Sequence, residues 1–205
     1  MNSSYILSAG DRDKERLVLL NELFNPTSIA ALELAEGLRI LTIGCGIGLL
    51  ELEVASKIGP SGYIFATDSN PEQLAIAKEL LLQSGLQNVQ FAELDISRQL
   101  DCIEQPFDRI HCRLVLSHLP WETVQSVLPA FYHKLIPGGL LLLEEIATLD
   151  SQKCEPHSHP GYDRWSQWTN RQFATQNSHP RIGYQIEEFL KEKGFFVEGR
   201  SYQPV

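Results

Sequence analysis

The chain has 205 residues, 43% of them hydrophobic and 21% charged, enough for one domain with a buried core and too few for two comfortable ones. A formal charge of −9 and a pI near 5.1 count against a broad phosphate-binding surface, so nucleic acid is not expected as the main partner. Four scattered cysteines, Cys45, Cys102, Cys112 and Cys154, without a Cys-x-x-Cys pair, point to a reducing, cytoplasmic setting. Met1–Leu7 lacks the basic-then-apolar order of a secretory leader. No apolar run approaches the roughly 20 residues that span a bilayer.

From Asp11 to Phe24, charge is followed by Leu17, Leu20, Leu23 and Phe24 at helical spacing, and a second helix is expected after Pro26, closed by Gly37. Arg39-Ile-Leu-Thr-Ile43 is a strand feeding a turn with glycines at alternate positions, Gly44, Gly46 and Gly48, and then a helix to Ile58. Glycine accepts φ > 0 and keeps no Cβ between backbone and ligand, and a helix N-terminus beyond such a turn favours anionic or nucleotide-like ligands. The Gly59-Pro-Ser-Gly62 turn leads into a buried strand, Tyr63–Asp68, that ends in a carboxylate. Asn70-Pro71 reads as an N-cap followed by proline at the first helical position, with Gly85 as the stop.

A third strand over Val89–Leu94 is followed by Asp95, and a fourth runs from Phe107 to Cys112. A helix over Trp121–Leu135 then leads through Pro137-Gly-Gly139 to a fifth strand, Leu140–Ile146. This alternation predicts an α/β, doubly wound, mostly parallel sheet. Residues 148–181 break it with Pro156, Pro160, Pro180 and several aromatics, and read as a partly helical insertion. A helix from Gly183 to Lys193, stopped by Gly194, and a last strand from Phe195 to about Tyr202 complete the chain.

Gly44-x-Gly46-x-Gly48, Asp68, Asp95, Phe107-Asp108, Arg113–Pro120, Pro137-Gly-Gly139 and Arg181–Leu190 resemble, in this order, a class I S-adenosylmethionine-dependent methyltransferase. The resemblance covers nearly the whole chain. It implies a single domain over 1–205, with residues 1–37 as N-terminal helices or a lid and 148–181 as a cap over a small-molecule acceptor. It also implies that S-adenosylmethionine is the cofactor, leaving as S-adenosylhomocysteine. Backbone around Gly44, Gly46 and Gly48 would contact the methionine part, and Tyr5, Thr42 and Cys45 are further cofactor-binding residues. Asp68 would take both ribose hydroxyls with Ser69 beside the adenine, Asp95 the adenine amino group, and the Ile96 N–H a ring nitrogen. Arg113 and Leu114 would form the floor beneath the sulfonium.

Plainer roles stand beside these. Asp95 also suits a loop cap, Arg113 a salt bridge to Glu144 or Glu145, and Tyr162, Trp165 and Trp168 either acceptor walls or core. His118 is the weak candidate for a catalytic base. Cys154, His157 and His159 could hold a metal, but they read better as polar loop, so no metal site is expected.

Two departures from the family pattern stand out. Thr42 occupies a position where the family usually has an acid, which implies weaker holding of the cofactor's ammonium end. The terminal hairpin has one strand where two are usual, so its edge invites completion by a second copy of the chain. A protein that binds the cofactor without catalysis is the alternative. A nicotinamide-dependent oxidoreductase is disfavoured because Leu49 stands where its fingerprint needs glycine.

Overall fold

The computed structural model describes residues 11–145, 160–175, 177–178 and 182–199. Its order is α1 (Asp11–Ala31), β1 (Arg39–Ile43), α2 (Leu49–Ile58), β2 (Tyr63–Asp68), α3 (Pro71–Ser84), β3 (Val89–Glu93) and α4 (Ile96–Gln99), then β4 (Phe107–Arg113), α5 (Trp121–Lys134), β5 (Leu135–Glu144), α6 (Pro160–Thr175) and α7 (Ile182–Glu192). The chain divides into two compact units. One holds the residues up to Arg113 with Ala130–Leu143, and the other holds Leu114–Pro129 with the described residues from Glu144 onward.

The first unit is built on a sheet of order β3-β2-β1-β4-β5. β1 pairs in parallel with both β2 and β4, so Ile43 is level with Thr67 on one side and Cys112 on the other. That register gathers the carboxyl ends of the three strands at the place where strand order reverses, where open α/β sheets hold their ligands. Ile40–Ile43 are buried on both faces, which is why the strand is a near-continuous apolar run. Leu50, Val54, Ala55 and Ile58 of α2 pack with Ile40, Ile64, Ala66 and Phe91 of the sheet and Leu74 and Ala77 of α3. α3 starts as its sequence dictates: Asn70 Oδ1 accepts the N–H groups of Glu72 at 2.9 Å and Gln73 at 3.3 Å, with Pro71 at the first helical position.

Gly48 joins the sheet to α2 at a tight point. Its φ is 77°, and a Cβ there would stand 2.8 Å from Phe91 Cζ and 2.9 Å from Ala77 Cβ. Gly48→Ala is therefore expected to cost about 2–4 kcal/mol, from a strained backbone plus overpacking, read as a lower urea midpoint at unchanged slope.

Four sequence expectations are corrected. α1 runs unbroken past Pro26. Proline removes one helical bond there, but the same turn buries Asn25, Ser28 and, one residue past the helix, Leu32, at 2%, 0% and 1% exposure, and this anchors it. α2 begins at Leu49, after the left-handed Gly48, rather than at Ile47. β5 begins five residues early and runs through Pro137-Gly-Gly139, which an edge strand tolerates because Ile136, Pro137 and Gly138 are exposed. Residues 195–199 form no strand, and Phe196 is 87% exposed; the rest of that expected strand lies outside the described residues.

In the second unit, a 3-10 turn over Leu116–His118 follows Leu114, whose φ of 56° is left-handed. Glu145 holds this turn: its carboxylate accepts the N–H groups of Val115 at 3.0 Å, Leu116 at 2.6 Å and Ser117 at 3.3 Å. Burial pushes its carboxyl up to about 7 against these donors. His118 stacks on Phe173 of α6 at 5.5 Å, and Trp121 meets Phe189 of α7 edge-on at 5.6 Å. No helix among the described residues is long and apolar enough to cross a membrane.

Candidate functional site

Gly44, Gly46 and Gly48 all have left-handed φ, of 73°, 57° and 77°. The N–H groups of Gly44 and Cys45 both donate to the Thr67 carbonyl, at 2.8 and 3.0 Å, which fastens the turn to β2. Asp68, at the carboxyl end of β2, closes the arrangement. Its Oδ2 accepts the Gly46 N–H at 2.8 Å and its Oδ1 accepts the Asn70 N–H at 2.9 Å. Burial raises the Asp68 carboxyl, while its three backbone donors, including Ser69, pull it back toward the ionised form. Ser69 itself is exposed. Gln73 of α3, buried, brings its Oε1 to 3.4 Å from where a Gly46 Cβ would stand, a neighbour that the sequence pattern did not reveal.

Asp95 caps α4: its Oδ1 accepts the Ser97 N–H at 2.9 Å and the Ser97 hydroxyl at 2.6 Å. The capping role foreseen as its plainer reading is real, and the half-exposed carboxylate keeps acceptor capacity on Oδ2, near Arg98 at 3.7 Å. Ile96 is the first residue of α4, so its N–H has no acceptor within the helix. Arg113, at the end of β4, is turned toward α1. It donates to Ser28 Oγ and Asn21 Oδ1, both at 2.9 Å, and to Asn25 Oδ1 at 3.1 Å.

One residue that the sequence pattern left unnamed sits among these. Glu51, in the first turn of α2, is 1% exposed, and neither carboxylate oxygen has a hydrogen-bond partner among the described residues. Burial pushes it from 4.5 up to about 7. Its own backbone N–H, the Arg113 charge and the Thr42 hydroxyl partly oppose the shift, the N–H and the hydroxyl close enough to favour the ionised form without a full hydrogen bond. A signal existed: Glu51 lies on the stripe it shares with Val54, Ala55 and Ile58, three, four and seven residues on, which is a core stripe.

The sign of the pH effect follows. The folded carboxyl titrates near 7 and the unfolded one near 4.5. The folded state therefore keeps a proton that the unfolded state loses across this window, and stability falls as pH rises through it, levelling above about 7. Glu51→Gln removes that loss. It is expected to stabilise the protein by about 3 kcal/mol at pH 8 and by almost nothing at pH 4.5, in paired urea denaturations.

Tyr5 lies outside the described residues, as do the side chains of Tyr162 and Trp165, while Trp168 is 46% exposed. Among the described residues there is no cluster of metal-binding side chains; Cys154, His157 and His159 fall outside them.

A family model described as a methyltransferase domain matches residues 40–139, from β1 to the start of β5. Over this span the chain carries a methyltransferase domain, and its fold is that of the class I S-adenosylmethionine-dependent methyltransferases. It is 34% identical over 110 residues to the ubiquinone biosynthesis O-methyltransferase of Xylella fastidiosa, covering 54% of this chain and 42% of that one. It is 31% identical over 147 residues to the ubiquinone/menaquinone biosynthesis C-methyltransferase of Bordetella parapertussis, covering 72% and 54%. A methyltransferase from Aquifex aeolicus shares the fold at a TM-score of 0.63 and 17% identity, over 94% of this chain and 92% of its own. The chain spans about half the length of the curated relatives it matches.

S-adenosylmethionine is the cofactor of this methyltransferase family, and the residues present fit it. Asp68 offers a carboxylate to vicinal hydroxyls, the left-handed glycines open the backbone, and Glu51 leaves buried acceptor oxygens beside them.

Proposed function

We propose that this protein transfers a methyl group from S-adenosylmethionine to an oxygen, nitrogen or carbon nucleophile of a small-molecule acceptor. The observation that carries this reading is Asp68, held at the carboxyl end of β2 by the Gly46 and Asn70 N–H groups, with the glycine turn fastened to the same strand. When bound, the cofactor supplies an electrophilic methyl group on a sulfonium. The chain's part is to hold it in line with the nucleophile and away from water.

Asp68 would accept the ribose hydroxyls, Asp95 and the Ile96 N–H would meet the adenine edge, and the turn's backbone would border the amino-acid portion. A nucleophile that must shed a proton needs a base; the sequence candidate for it, His118, belongs to the second unit, stacked on Phe173. The two curated relatives compared above are named for oxygen and carbon transfer, so the acceptor atom is left to experiment.

Titration of the full chain with S-adenosylhomocysteine tests the reading. Saturable binding and a raised melting temperature are expected, followed by label transfer from methyl-labelled cofactor to members of an acceptor panel. No binding at millimolar ligand would overturn the reading, and binding without transfer across the panel would favour a non-catalytic binding protein.

A further inference from the structure

Glu51 is a carboxylate on the core stripe of an apolar helix, closed off from water, with no donor on either oxygen among the described residues. Buried acceptors of this kind are normally hydrogen-bonded, and a site that keeps one open is arranged for a group that arrives from outside. Four neighbouring groups bear on the Glu51 charge. Thr42 near the end of β1 and Arg113 at the end of β4 favour its ionised form, while it disfavours charge on Cys45 in the glycine turn and is itself disfavoured by Asp68 at the end of β2. The carboxylate belongs to the first turn of α2, three residues past Gly48, where the glycine turn after β1 ends. Arg113 is occupied by Asn21, Asn25 and Ser28, so the guanidinium that favours ionised Glu51 already has three acceptors on α1.

We propose that Glu51 accepts the ammonium group of the cofactor's amino-acid end, serving from α2 as the anion that Thr42 does not provide from β1. The proposal rests on the reading of the site given under Proposed function. An ammonium brings three donors and one positive charge, which suits a lone carboxylate with unused lone pairs next to an uncharged hydroxyl. Binding then draws the Glu51 proton off to solvent whenever the free protein holds it, because the incoming cation favours the ionised carboxylate. Cys45, Asp68 and Arg113 are the other titratable or charged groups that face it.

The test compares wild-type protein and Glu51→Gln in calorimetric titrations with two ligands. One is S-adenosylhomocysteine; the other is 5′-methylthioadenosine, which keeps the nucleoside and thioether but has no ammonium. Glu51→Gln is expected to weaken S-adenosylhomocysteine roughly 10- to 100-fold and to leave 5′-methylthioadenosine unchanged. At pH 6.5 the wild type is also expected to release a fraction of a proton on binding the first ligand, read from buffers of different ionisation enthalpy, and the variant to release less. Adding Thr42→Asp to Glu51→Gln should recover part of the lost affinity. Equal S-adenosylhomocysteine affinity in the two proteins overturns the proposal while leaving the methyltransferase reading intact, and so does an equal loss for both ligands. A wild type that binds neither ligand overturns the reading itself, and the proposal with it.

Discussion

Asp68→Asn is expected to weaken S-adenosylhomocysteine binding by roughly 100-fold or more, measured by calorimetry on the full chain. In the free protein Oδ2 accepts the Gly46 N–H and Oδ1 the Asn70 N–H, with the Ser69 N–H a third backbone donor to the carboxylate. The carboxylate has about four acceptor sites, so it can take a ribose hydroxyl while the Gly46 and Asn70 bonds stay in place. Asparagine has the same shape but only one acceptor terminus. Its amide nitrogen must face either the Gly46 or the Asn70 N–H, donor against donor. The substitution thus loosens the turn and removes charge from a hydroxyl bond worth about 1.5–3 kcal/mol. A loss below tenfold would sink the assignment of Asp68 to the ribose.

The second large effect concerns Arg113. Its guanidinium joins the end of β4 to three side chains of α1, two of them on residues almost wholly buried, Asn25 and Ser28. Arg113→Leu leaves their oxygens without this donor and removes a positive charge that favours ionised Glu51. Stranding buried partners in this way costs about 3–5 kcal/mol, which for a chain of this size lowers the melting temperature by about 10 °C. Arg113→Lys should restore less than half, because an ammonium is compact and cannot fork to three acceptors. The loss should shrink when Glu51→Gln is also present, since the two changes share one charge pair. A melting temperature unchanged in Arg113→Leu would contradict the anchoring role.

What could be read from the sequence was mostly local. β2 over Tyr63–Asp68 and the Asn70-Pro71 start of α3 depend on residues within a few positions of one another, and both stand as expected. Arg113 shows the limit: it was read as a floor to the cofactor or a salt-bridge partner, yet the acceptors described for it lie 85, 88 and 92 residues away on α1. No periodicity encodes such a pairing. Pro26 and Pro137 misled in the same manner, because proline reports a missing N–H but not whether burial, or an exposed sheet edge, compensates for it. The last strand was expected from Phe195 to about Tyr202, after the stop at Gly194. β-propensity expresses fit to a partner surface, and Phe196 is left facing solvent. Glu51 was legible in principle, as the acid on an apolar stripe, although neither the glycines nor the strand ends point to it.

The burial of Glu51 also bears on how such a protein would change under selection. A library screened only for heat resistance, with no cofactor present, should enrich Gln or an apolar residue at position 51 early, since at neutral pH and above the native acid weakens the fold. The clones recovered would look improved by every folding assay while grasping the amino-acid end of the ligand more weakly. Screening with S-adenosylhomocysteine in the medium should reverse the preference at this one codon.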